Sequence, residues 1–137
     1  MNQEERYTIR TRAEFESSHS IREYIEDPDN PGHYLDEPLH GHSWVVEAFA
    51  SSRTVEERTG FAIDFMTLKG KVEELASYLG HQNINNLPPF DKTNPSTENI
   101  AKWFYQNIRE IIPEGSTLSK VRVWEGPHNF AEYSIEE

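Results

Sequence analysis

Three histidines carry the clearest chemical signal in this chain. His40-Gly41-His42 places two imidazoles at i and i+2. On a strand those side chains share a face and can grip one ion. His19 closes an alternating stretch in which Tyr7, Ile9, Thr11, Ala13 and Phe15 share one parity. It falls on that same parity, so from a facing hairpin strand it can supply a third nitrogen. Three imidazoles leave the fourth position of a tetrahedral Zn²⁺ open, which is the arrangement of a catalytic site rather than a structural one. Neutral imidazole suits zinc, and the chain has no cysteine to offer a competing thiolate. The opposing reading is three histidines at the surface or in the core without an ion. Their place at the start of a strand, directly after an acidic loop, favours the ion.

The elements that must position these groups follow from periodicity. Residues 7–19 alternate as a strand with one wet face. Residues 22–39 read as a loop around Asp27-Pro28-Asp29-Asn30-Pro31-Gly32, with six acidic residues against Arg22 alone. Residues 40–52 read as a second strand, with His40, His42, Trp44, Val46, Ala48 and Ala50 on one parity. Asp64 can cap a helix over about 65–79, whose apolar face is Phe65, Leu68, Val72, Leu75 and Leu79. After an Asn- and Pro-rich loop over 80–95, Ser96 or Thr97 can cap a second helix over about 97–111. Its apolar face is Ile100, Trp103 or Phe104, Ile108 and Ile111. Strands over 117–124 and 130–135 close the chain, joined through Glu125-Gly126-Pro127-His128-Asn129. Antiparallel pairs in the order β-β-α-α-β-β indicate an α+β fold.

Composition narrows the function classes. The length of 137 residues predicts one domain spanning 1–137, able to bury roughly 68–70% of its unfolded surface. Counting Gly and leaving out Tyr, 49 residues are apolar, about 36%, where 45–50% is usual. The thin core points to help from subunit burial or a metal. A net charge of −11 argues against nucleic acid as a partner. There is no apolar run long enough for a membrane span. The polar N-terminus does not read as a signal peptide. Together with the missing cysteines, this predicts a cytoplasmic protein.

At this point the chain resembles the 6-pyruvoyl-tetrahydropterin synthase / 6-carboxy-tetrahydropterin synthase family over about residues 7–135. The likeness rests on Phe15-Glu16-Ser17-Ser18-His19, His40-Gly41-His42-Ser43-Trp44 and Gly60-Phe61-Ala62-Ile63-Asp64-Phe65-Met66-Thr67-Leu68-Lys69. It continues in Leu79-Gly80-His81-Gln82-Asn83-Ile84-Asn85, Asn94-Pro95-Ser96-Thr97-Glu98-Asn99-Ile100-Ala101 and Val123-Trp124-Glu125, with Tyr133 beyond. The resemblance implies a T-fold, an antiparallel four-stranded sheet with two helices on one face. It implies a homo-oligomer, a trimer or a hexamer, with sites at subunit interfaces. It implies zinc on His19, His40 and His42, and a pterin anchored by Glu125, since a carboxylate can accept two parallel N–H bonds from the pterin amino group and ring nitrogen.

Two departures refine the expected chemistry. The family's usual catalytic cysteine position is Asp36 here. A family branch that carries Glu three residues before the first His of H-G-H cleaves the side chain of dihydroneopterin, and Glu37 fits that spacing. The family's Asp-His pair appears as Gly80-His81, so the histidine remains without its carboxylate. The expected activity is a zinc-dependent pterin side-chain lyase acting on 7,8-dihydroneopterin or its triphosphate. Glu37 is the base, His81 the second acid/base, and the product a 6-hydroxymethyl-dihydropterin. The acidic 22–39 loop predicts that dihydroneopterin is preferred over its triphosphate, unless Arg10, Arg12, Lys120 or Arg122 face the site. The alternatives are a 6-carboxy-tetrahydropterin synthase of the queuosine pathway, a zinc- and pterin-binding protein that has lost catalysis, and a metal-free oligomerisation domain.

Overall fold

A computed structural model describes residues 3–136. Strand β1 (Tyr7–His19) runs antiparallel to β4 (His40–Ser52), in unbroken register from Tyr7 opposite Ser52 to His19 opposite His40. The alternation expected from the sequence is what the sheet uses. Ala13, Phe15, Ser17 and His19 point inward from β1, and Trp44, Val46, Ala48 and Ala50 from β4. The intervening loop is not wholly irregular. It folds back as a small hairpin of β2 (Ile25–Glu26) and β3 (Tyr34–Leu35), which the strong turn residues between them permit.

Helix α1 (Phe65–Leu79) starts where Asp64 accepts a hydrogen bond from the Met66 N–H at 2.8 Å. Helix α2 (Thr97–Ile108) starts where Ser96 accepts from Asn99 N–H at 3.1 Å. Such caps are worth about 1 kcal/mol each. Strands β5 (Ser116–Glu125) and β6 (Asn129–Tyr133) complete a sheet ordered β1-β4-β5-β6. Both helices cover one face of it. The shared core includes Leu68, Val72 and Leu79 from α1, Ile100, Phe104 and Ile108 from α2, and Val121 and Val123 from β5. Burying an aromatic such as Phe104 contributes roughly 1.5–3 kcal/mol.

Three expectations need correction. Phe65 is 55% exposed rather than on the apolar face of α1, where Ala76 takes a buried place. Ile111 lies in a 3-10 turn, Arg109–Ile111, that ends the second helical segment early. The last strand ends at Tyr133, two residues before the expected end.

Candidate metal centre

The β1–β4 register brings His19 opposite His40, with His42 one inward position further along β4. The ring centres lie 4.8 Å (His19–His40), 5.3 Å (His19–His42) and 4.7 Å (His40–His42) apart. Trp44 forms the floor. His19 and His42 stand edge-on to it at 4.9 and 5.4 Å, and its indole N–H donates to the Ser17 carbonyl at 3.0 Å. Two rings are oriented by backbone carbonyls. His19 Nδ1 donates to Pro95 at 2.7 Å and His40 Nδ1 to Pro38 at 2.8 Å. Each bond assigns the proton to Nδ1 and leaves Nε2 with a free lone pair. His19 is 2% exposed, and the Nε2 atoms of His19 and His42 are buried without a hydrogen-bond partner. An unsatisfied buried polar group costs about 1–3 kcal/mol. Burial holds the His42 pKa below the usual histidine value. The Glu125 carboxylate opposes that drop, while His19 and His40 add to it. His42 is therefore a neutral imidazole at neutral pH.

Glu125 belongs to this cluster. It continues the inward parity of Val121 and Val123 to the end of β5, opposite Trp44. Its Oε1 lies 3.1 Å from His19 Nε2 and 3.4 Å from His42 Nε2. One candidate ligand atom each from His19, His40, His42 and Glu125 fall within 4.8 Å of one another. The expectation of an open fourth position is thus modified, because a carboxylate oxygen stands beside it.

Glu37 approaches from the loop side. Its Oε1 accepts from Ile21 N–H at 3.2 Å and lies 3.8 Å from His40 Nδ1. Residues 20–22 form a spine that holds it. The Ser20 hydroxyl donates to the Glu37 carbonyl, and Glu37 N–H donates to the Ile21 carbonyl at 2.8 Å. Two asparagines clamp the other side. Asn85 accepts from Ser20 N–H at 2.8 Å and donates to its carbonyl at 2.8 Å. Asn94 does the same to Arg22, at 2.9 and 3.1 Å. These asparagines read as ordinary loop residues in the sequence. Only the presence of an amide, able to donate and accept at once, hinted that they could substitute for a neighbouring strand.

His81 is not one of the four residues of the cluster. It follows the end of α1 with φ of 57°, a left-handed conformation that is costly for a side chain other than glycine. Its N–H donates to the Glu16 carbonyl at 2.6 Å, and Gln82 accepts from Ser18 N–H at 3.0 Å. His81, Glu16, Ser43 and one side of His42 line an open cleft of about 620 Å³, and Glu37 is not among its lining residues. Arg10, Arg12, Lys120 and Arg122 do not serve the centre. They pair with Glu47, Glu14 and Glu132 on the sheet face turned away from the helices.

A family model described as 6-pyruvoyl tetrahydropterin synthase matches residues 8–136. The chain belongs to that family. A dihydroneopterin monophosphate aldolase of Pyrococcus furiosus is 33% identical over 115 residues, covering 84% of this chain and 86% of that protein. The human 6-pyruvoyl tetrahydrobiopterin synthase is 28% identical over 134 residues, covering 93% and 91%. The solved Caenorhabditis elegans 6-pyruvoyl tetrahydropterin synthase superposes with a TM-score of 0.80 at 23% identity, covering 99% of this chain and all of that one. That likeness establishes the T-fold.

This member of the 6-pyruvoyl tetrahydropterin synthase family has a donor set that fits zinc. Imidazole nitrogens, two of them on rings oriented by backbone carbonyls, and one carboxylate oxygen are zinc ligands by type. The two unpartnered buried Nε2 atoms are the observation that calls for a cation. Among the described residues no helix is long and apolar enough to cross a membrane.

Proposed function

We propose that this chain is a zinc-dependent pterin side-chain lyase that cleaves 7,8-dihydroneopterin to 6-hydroxymethyl-dihydropterin and a small aldehyde. His19, His40 and His42 would hold the ion. Zn²⁺ bound there supplies Lewis-acid chemistry that lowers the pKa of the substrate's side-chain hydroxyls. Glu125 accepts N–H bonds from the pterin ring. Glu37, fixed by Ile21 N–H, takes the proton from the side-chain hydroxyl at C2′. The C2′ carbonyl forms, the C1′–C2′ bond breaks, and its electron pair enters the C6=N5 imine. A proton returned to C1′ completes the retro-aldol, with His81 as the acid.

The carrying observation is the pair of buried, unbonded Nε2 atoms beside the Glu37 loop. His81 shares an open cleft with His42 that Glu37 does not line; in the homo-oligomeric trimer or hexamer that the family resemblance implies, the His81 of one copy would reach the centre of another. Phosphate count is the open chemical choice. The acidic 22–39 loop disfavours a triphosphate, and Arg10 and Arg122 are paired on the opposite face of the sheet. The name of the Pyrococcus furiosus relative favours a monophosphate as the second reading. The test incubates zinc-loaded protein with dihydroneopterin, its monophosphate and its triphosphate, and follows aldehyde and 6-hydroxymethyl-dihydropterin. Aldehyde from either of the first two supports the reading. A 6-carboxy or 6-pyruvoyl product from the triphosphate points to the synthase alternative, and no product at all to a binding protein.

A further inference from the structure

The carboxylate of Glu125 has two demands on it. Accepting two parallel N–H bonds from a pterin requires both oxygens. Yet Oε1 sits between two unpartnered imidazole nitrogens, at 3.1 and 3.4 Å. A tetrahedral ion with bonds of about 2.0–2.1 Å sets neighbouring ligand atoms about 3.3–3.4 Å apart. The separations of 3.1 and 3.4 Å lie close to the edges of such a tetrahedron. The oxygen therefore stands where a fourth ligand would.

We infer that Glu125 is a displaceable fourth ligand: it closes the metal site when no pterin is present, and turns to the pterin ring when the substrate's side-chain hydroxyls take its place. The inference rests on the zinc site of the proposed function. Its backbone is held on both sides, since Glu125 pairs in register with Trp44 and with Asn129, and Gly126 N–H donates to the Ser43 carbonyl at 3.1 Å. Any exchange is then a side-chain rotation and not a movement of the strand. No hydrogen-bond donor among the described residues holds the carboxylate, and its side chain is 28% exposed, so it is free to turn. Charge favours the closed state. An imidazole ligand carries no charge of its own, so a carboxylate offsets part of the charge of a dication in a half-buried site.

Exchange of this kind couples the ring and the ion, and the coupling has a sign that depends on the ligand. A bare pterin takes Glu125 from the ion and offers nothing in return, so zinc weakens its binding. Neopterin, fully oxidised and not cleaved, brings hydroxyls that replace the carboxylate, so zinc strengthens its binding. Coupling between two sites is reciprocal and typically amounts to 5- to 150-fold.

Calorimetric titration of the zinc-loaded and metal-free chain with pterin and with neopterin reads both signs, and Co²⁺ absorption reads the coordination directly. The expected results are at least a fivefold loss of pterin affinity on loading zinc and a gain for neopterin. The Co²⁺ bands should shift on adding pterin. Zinc affinity should fall roughly 10- to 100-fold in Glu125→Gln, the scale set by carboxylates that support a metal site. Equal zinc affinity in Glu125→Gln, or Co²⁺ bands unmoved by pterin, overturns the inference while leaving the zinc site standing. A wild-type chain that binds no zinc overturns the proposed function and this inference together.

Discussion

Strands β4 and β5 carry two polar clusters with opposite finish. Midway along them, on the sheet face away from the helices, Glu47 accepts the Trp124 indole N–H at 2.6 Å and pairs with Arg10 and Arg122 at 3.6 and 3.8 Å. Arg122 reaches Glu132 through two nitrogens, both at 2.6 Å, and lies over the Phe130 ring at 4.4 Å. At the His40 end of the same strands, three imidazoles and a carboxylate converge, and two nitrogens have no partner. The first cluster has spent its hydrogen bonds on itself. The second holds lone pairs in reserve at a cost in stability. Charge density alone does not separate a structural cluster from a functional one, but the unmet hydrogen bonds do.

Substitutions should widen that contrast, beginning at the open cluster. His42→Ala should abolish stoichiometric zinc and lower turnover by about 10³-fold or more, because several kcal/mol of transition-state stabilisation are lost with the ion. Metal analysis and turnover check both. Glu37→Gln should lower turnover by about a hundredfold or more with zinc content unchanged. Turnover at the wild-type rate would remove Glu37 from the mechanism. Asn94→Ala strips both bonds from Arg22 and should cost about 1–3 kcal/mol in denaturant unfolding, lowering kcat more than zinc affinity. Glu132→Gln, in the closed cluster, should cost under about 1 kcal/mol and leave turnover unchanged.

Acid titration sharpens the last case. Burial alone would raise the Glu132 pKa, but the Arg122 hydrogen bond and the Lys120 and Arg122 charges outweigh it and hold the group below the ordinary carboxylate value. Its stabilisation is present above the usual carboxylate range and is lost as pH falls through its own lower pKa. Wild type and Glu132→Gln should differ slightly near neutrality and converge in acid. A gap that widens in acid would contradict the pairing.

The legible part of the molecule was the part set by period. Alternation over 7–19 and 40–52 placed His19, His40 and His42 on the helix-covered face, and the structure keeps them there. The caps at Asp64 and Ser96 were readable because a side-chain oxygen before an apolar period has a local job. Glu125 was legible as a site residue but not as a neighbour of the imidazoles. Its parity with Val121 and Val123 held that information, though the pairing of β5 with β4 is non-local. Asn85, Asn94 and Pro95 stand in the motifs that carry the resemblance, but their bonding roles are not legible there, because they depend on loop contacts across more than sixty residues. The resemblance makes His81 a partner in catalysis, while its left-handed backbone and the cleft it shares with His42 emerge only in three dimensions.

The central claim is that three imidazoles share one ion. Metal content of the untagged, purified chain, measured alongside His19→Ala, tests it most directly. One zinc per chain in wild type and none in His19→Ala is the predicted result. A wild-type chain that carries no metal and fails to take up one equivalent of zinc on dialysis would contradict it.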